Sequence, residues 1–128
     1  MIILRQSSFS INYKQFFPRV DKNLSLDVEG TLPENIVKSI LKDWKNTIVK
    51  NIWEDDKDFA TEYKLNEKDY INGLALESVS YDKSDDQVNL TFGAWKNTKL
   101  HDFYGSDFFW CLSFSGKTGQ FITIYSGD

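Results

Sequence analysis

Apolar side chains fall at every second position in Phe9, Ile11 and Tyr13, and again in Leu24, Leu26 and Val28. A period of two predicts a half-buried strand in each stretch. Pro18 should close the first, because proline cannot donate to a ladder, and Gly30 the second. Residues 17–23 then read as a loop joining two antiparallel strands.

The period changes after Pro33. Ile36, Val37, Ile40, Leu41, Trp44, Ile48, Val49 and Ile52 follow at steps of three and four, with Lys38, Lys42, Lys45 and Lys50 mostly off that stripe. This predicts an amphipathic helix over 33–53, with Trp44 buried on its inner face. Thr31 is placed to cap it, Pro33 suits its first turn, and Glu34 suits its dipole. The charge run Glu54-Asp55-Asp56-Lys57-Asp58 reads as a solvated loop. Phe59, Tyr63 and Leu65 read as a short helical turn tucked onto the core, and Asn72-Gly73 as a turn.

The C-terminal half alternates again. Leu74 to Tyr81 reads as a strand, Lys83 to Asp86 as a polar turn, and Val88, Leu90, Phe92 and Ala94 as a second strand. A long loop, 96–107, precedes a third strand with Phe108, Trp110, Leu112 and Phe114 on one side. Gly116-Lys117-Thr118-Gly119 suits a hairpin connection into a last strand, Phe121 to Tyr125. The expected fold is α+β in the order β-β-α-β-β-β-β. It is a mostly antiparallel sheet with one long helix packed on one face. At 128 residues, with no linker or repeat, the chain reads as a single domain, 1–128.

Composition adds a bias toward contact surfaces. Aromatic residues make up 16% of the chain, which favours a sheet-rich core, an aromatic recognition surface, or both. The single cysteine, Cys111, rules out an intrachain disulfide, which fits a reducing compartment. Met1 to Arg5 lacks the apolar core of a secretory leader, and no apolar run approaches the ~20 residues of a membrane span. The expected location is therefore the cytoplasm, with no membrane association. The net charge of −4 argues against direct nucleic-acid binding, which needs clustered Lys and Arg. The acidity is uneven: residues 51–95 hold eleven of the nineteen acids and four of the fifteen bases.

Candidate chemistry is sparse. Ser115-Gly116-Lys117-Thr118 looks like the end of a phosphate-binding loop, but Cys111 stands where the motif needs glycine, and the segment joins two strands. Asp82, Ser84 and Asp86 have calcium-loop spacing. The later glycine and glutamate of that loop are replaced by Gln87 and Gly93. His101 is the only histidine, so no multi-histidine metal site exists. A Cys111–His101 nucleophile pair competes with the plainer reading of Cys111 as a packed thiol in an apolar strand. No dinucleotide fingerprint or serine elbow is present. These features point away from an enzyme, a metal or a cofactor. The loop from Trp95 to Asp107, with Trp95, Phe103 and Tyr104, is either a contact surface or a small core of its own.

Residues 74–128 carry a strand, an acidic turn and a strand ending near Phe92-Gly93-Ala94-Trp95. A loop with His101-Asp102 and a final hairpin ending near Gly127-Asp128 follow. In this order the segment resembles small bacterial immunity proteins of polymorphic and contact-dependent growth-inhibition toxin systems. The resemblance covers less than half the chain and carries no functional residue across. It implies a cytoplasmic, non-enzymatic protein that binds and neutralises a cognate toxin domain, with basic nucleases among the toxin types. An acidic, aromatic surface suits such a partner. The residues expected to supply it are Asp55, Asp56, Asp58, Asp82, Asp85, Asp86, Trp95, His101 and Tyr104. The alternative is a small-ligand-binding or minor enzymatic domain, in which a cystatin-like sheet and helix enclose a pocket. A deep apolar pocket containing His101 would favour that alternative; a convex acidic face would favour the immunity reading.

Overall fold

The computed structural model describes residues 11–128. Its centre is a five-stranded sheet in the spatial order β1-β2-β3-β4-β5. The strands are β1 (Val20–Val28), β2 (Leu74–Asp82), β3 (Gln87–Ala94), β4 (Phe109–Ser115) and β5 (Phe121–Gly127). The helices are α1 (Glu34–Lys42), α2 (Lys50–Glu62), α3 (Glu67–Gly73) and α4 (Lys99–Tyr104), with a wide π-type turn at Lys45–Val49 between α1 and α2. The α+β class stands, but the loops expected over 17–23 and 96–107 hold the start of β1 and the helix α4, and four larger features of the expected layout also differ.

First, β1 pairs with β2 in parallel, so the sheet is mixed. α1, the π-type turn, α2 and α3 all lie between these two strands, and parallel neighbours need such a crossover, whereas antiparallel ones can be joined by a hairpin. β2 to β5 form the expected antiparallel meander. Second, the strand expected at Ile11 and Tyr13 is absent from the described residues. Tyr13–Gln15 forms a 3-10 turn, and Ile11, Tyr13 and Phe17 all point into the core. Phe9 lies outside the described residues. The spacing of Tyr13 and Phe17 fits a helical turn as well as a strand.

Third, the single helix expected over 33–53 is broken. α1 stops at Asp43, where the backbone leaves helical geometry (φ −103°, ψ 34°). The break exposes carbonyls, and side chains satisfy them: Thr47 Oγ1 donates to the Ile40 carbonyl at 2.6 Å, and Asn51 Nδ2 to the Thr47 carbonyl at 2.6 Å. Trp44 sits beside the break. It is half-buried and meets the edge of Phe17 at 5.0 Å between ring centres. Fourth, the charge run at 54–58 is helical. Val49, Ile52, Asp56 and Ala60 follow at steps of three and four and are all buried. Glu54, Asp55, Lys57 and Asp58 remain in solvent on the other side of α2.

Asn72-Gly73 ends α3. A Cβ at Gly73 would lie 2.7 Å from Leu100 Cβ, so glycine lets α4 pack closely there. Asn66 opens α3 with a reciprocal capping box to Asp69. Arg19 ties the start of β1 to this region by donating to the Leu74 carbonyl at 2.7 Å and to the Ile71 carbonyl.

One sheet face, with Leu76, Val79, Leu90, Phe92, Trp110 and Leu112, shares a single buried cluster with Val37, Ile40, Ile48 and Ile52. The opposite face carries a polar row. Asp27, Ser80, Asn89, Ser113 and Thr123 stand side by side across all five strands. Within that row Ser113 Oγ donates to Asn89 Oδ1 at 2.6 Å.

Candidate functional site

The sheet has two functional-looking ends. Leu74, Ala94, Phe109 and Gly127 line up at one, and Asp82, Gln87 and Ser115 at the other. β2 alone, nine residues long, separates them by roughly 25–30 Å at about 3.3 Å per residue.

At the first end the C-terminal part of α2 meets α4. Phe59, Tyr63 and Phe103 are 50%, 52% and 38% exposed. Their rings pack on one another, with centres 4.9 Å apart for Phe59–Tyr63, 5.8 Å for Phe59–Phe103 and 5.0 Å for Tyr63–Phe103. Aromatic contacts continue inward from Phe103 to Tyr104 (4.9 Å), Tyr104 to Trp110 (4.9 Å) and Trp110 to Tyr70 (5.9 Å). An unbroken column of rings thus runs from solvent to the core. Asp55, Asp58, Glu62 and Asp102, all exposed, lie within four residues of these rings along α2 and α4.

At its inner end sits Asp56, 8% exposed. Its Oδ2 accepts hydrogen bonds from Tyr70 Oη (2.9 Å), Tyr104 Oη (3.1 Å) and Trp110 Nε1 (2.9 Å). The two phenol oxygens lie 3.0 Å apart. Removal from water pushes the Asp56 carboxyl above its usual range, and the three hydrogen bonds oppose that rise. The Tyr104 phenol is pushed up to about 12, first by burial and then by the Asp56 charge. The Tyr70 phenol is raised further still, with burial again the leading cause.

Between Asp56 and the exposed rings lies a groove of about 500 Å³, lined by Asp55, Asp56, Phe59, Phe103, Tyr104, Phe108 and Ser126. Neither His101 nor Cys111 lines it. His101 lies 3.1 Å from Ser106 Oγ through Nε2. Cys111 is buried on the sheet face opposite Trp110 and Leu112, beside Thr91 and Tyr125.

Comparison with protein families, characterised proteins and solved structures gives no match. The site is therefore read from its own geometry.

That geometry redistributes the expected contact residues. Asp55, Asp56 and Tyr104 come together at the groove, and Asp58 stands beside it on α2. Asp56 is not the solvated surface acid expected of a loop: helix geometry turns it inward. Trp95, 40% exposed, follows β3 at the same end of the sheet, where its amide donates to the Gly73 carbonyl.

Asp82, Asp85 and Asp86 lie at the far end, and two of them hold the turn together. Asp82 Oδ1 accepts from Ser84 Oγ (2.7 Å) and Ser84 N (3.0 Å), which holds its carboxyl below the usual range, the Ser84 hydroxyl foremost. Asp86 Oδ1 accepts from Tyr81 Oη at 2.6 Å, and Asp86 itself takes φ 51°. The 115–118 segment is the expected hairpin, with Ser115 Oγ accepting from the amides of Lys117 and Thr118. Among the described residues, no cluster of three or more His, Cys, Asp or Glu could hold a metal ion, and no helix is long and apolar enough to cross a membrane.

Proposed function

We propose that this chain is a non-catalytic binding protein of the immunity type. It would occupy and neutralise a cognate toxin domain in the cytoplasm through the end of the molecule where α2 meets α4. The observation that carries this reading is the exposed triad Phe59, Tyr63 and Phe103 with its rim of Asp55, Asp58, Glu62 and Asp102. Large aromatic side chains held half in water lose apolar burial that a partner can restore, and such rings are typical anchors of protein interfaces. The acidic rim suits a basic partner surface and would steer its approach. The triad and its rim belong to the outside of a packed column, so the rings are held in place before any partner arrives, which lowers the entropy lost on binding.

The test is binding to the toxin domain encoded beside this chain, measured by calorimetry. Replacing Phe59, Tyr63 and Phe103 together by serine should weaken binding by about a hundredfold or more while the circular dichroism spectrum stays unchanged. Wild-type affinity in a folded triple variant would move the interface elsewhere. Absence of binding to any neighbouring product would remove the immunity reading itself.

A further inference from the structure

We infer that the groove beside Asp56 is a receptor for the guanidinium group of an arginine side chain. The inference deepens the binding reading above by naming the anchor that the partner would insert. It rests on the chemistry of the groove, which can be probed without any partner.

The Asp56 carboxylate is unevenly used. All three donors converge on Oδ2, and Oδ1 accepts none of them. Tyr70, Tyr104 and Trp110 hold the group through this one oxygen, yet each donor is neutral. No lysine or arginine of the described residues forms an ion pair with Asp56, and none lines the groove. A buried carboxylate without a counter-charge is expensive, and that expense is what a bound cation would relieve. Asp55 adds a second carboxylate at the mouth.

The walls select among cations. Phe59, Phe103, Tyr104 and Phe108 present rings around the same space. Ring faces attract positive charge. A guanidinium is planar, stacks on such faces and gives up its hydration more readily than an ammonium, which is a compact and strongly hydrated charge. Its fork of N–H donors can reach a carboxylate while its plane lies against a ring. Asp56 ionises more completely as pH rises, so the site should bind more tightly at neutral than at acid pH.

The experiment titrates n-butylguanidinium, n-butylammonium and neutral n-butylurea into the full chain at constant ionic strength. The Trp110 indole N–H resonance reports occupancy. Butylguanidinium should saturate with a Kd on the order of 10 mM, ordinary for a fragment of this size, with butylammonium and butylurea at least about fivefold weaker. Asp56→Asn should weaken the guanidinium by about tenfold. Because that change is buried, exposed Asp55→Asn gives a second reading without risk to the fold, with a loss of about two- to threefold. Failure to saturate, equal binding of the urea, or tighter binding of the ammonium overturns the assignment. If the probe binds but no neighbouring toxin does, this site stands and the immunity reading falls. If a toxin binds but the probe does not, the arginine anchor alone is wrong.

Discussion

Asp56 and Trp110, 54 positions apart in the chain, are joined by a 2.9 Å hydrogen bond from the indole N–H to Oδ2. The bond pins the middle of α2 to β4. It also fixes the floor of the groove, since Tyr104 of α4 packs its ring on Trp110 and donates to the same oxygen. A polar contact inside the core therefore sets the position of the aromatic surface outside it.

The Asp56 carboxyl has a raised pKa in the fold, mainly from burial. The folded chain thus holds this proton more tightly than the unfolded chain, whose carboxyl titrates near 3.9. Protonation of Asp56 favours folding. That contribution is full below about pH 3.9 and is lost as pH rises through the raised folded value. Asp56→Asn removes the titration. Urea denaturation from pH 4 to pH 7 should show the variant gaining stability relative to wild type as pH rises. Parallel stability curves would mean that Asp56 titrates normally.

Tyr70 is fully buried, and its hydroxyl donates to Asp56. Tyr70→Phe should destabilise the fold by about 1–2 kcal/mol, because a buried charge loses a donor. The loss should be larger at pH 7 than at pH 4, since the missing hydrogen bond favours the ionised carboxylate. Tyr104 is only half-buried and sits slightly farther away at 3.1 Å, so Tyr104→Phe should be milder. No pH dependence for Tyr70→Phe would show that its phenol does not stabilise the charge, and equal effects of the two variants would show that their difference in burial and distance does not matter.

Gly73 lets α3 approach α4. A methyl group there would meet Leu100 Cβ at 2.7 Å and Thr98 Oγ1 at 3.2 Å. Leu100 is fully buried and Thr98 caps α4, so neither yields easily. Gly73→Ala should lower stability by about 1–3 kcal/mol as an overpacked site. It should also displace Phe103 and Tyr104, seen as shifts in their ring resonances. An unaltered melting temperature would show that α4 moves freely over α3.

Much of the meander was legible because period two, sustained over seven or eight residues and bounded by turn residues, is a strong signal when each strand buries one face. β3 and β4 lie where alternation put them, and β2 and β5 where their apolar, β-branched and aromatic residues put them. The parallel placement of β1 was not legible, since strand direction depends on the path of the helical crossover and not on the pattern within β1. Asp56 was hidden by composition. Its neighbours are charged, and five polar residues in a row read as a loop. The signal lay one step wider: Val49, Ile52, Asp56 and Ala60 continue the apolar stripe of the preceding helix. An acid at a stripe position is the mark of a buried polar site. The aromatic triad was half-visible. Phe59 and Tyr63 stood out at helical spacing but read as core, because nothing local says that α4 covers only part of them. Asp82 and Asp86 read as surface acids, although the spacing of Asp82 to Ser84 already matched a side chain closing its own turn.

The last prediction separates location from net charge. If the acidic rim steers a basic partner, reversing charges near the aromatic triad should matter more than reversing the same number elsewhere. Asp55→Lys with Asp58→Lys changes the rim. Asp27→Lys with Asp85→Lys makes the same change in net charge at the opposite end, where both side chains are exposed. The ends are separated by roughly 25–30 Å, about three Debye lengths at 0.1 M salt, so far-end charges are screened from a partner docked on the triad. At 0.1 M salt the rim pair should slow association with the neighbouring toxin domain by about tenfold, and the far-end pair by less than about threefold. Raising salt should erase the difference while leaving dissociation nearly constant, because rim charges act mainly on encounter. Surface plasmon resonance across a salt series provides both rates. Equal slowing by the two pairs would mean that only total charge counts, and slower association from the far-end pair would place the interface at the Asp82–Asp86 turn.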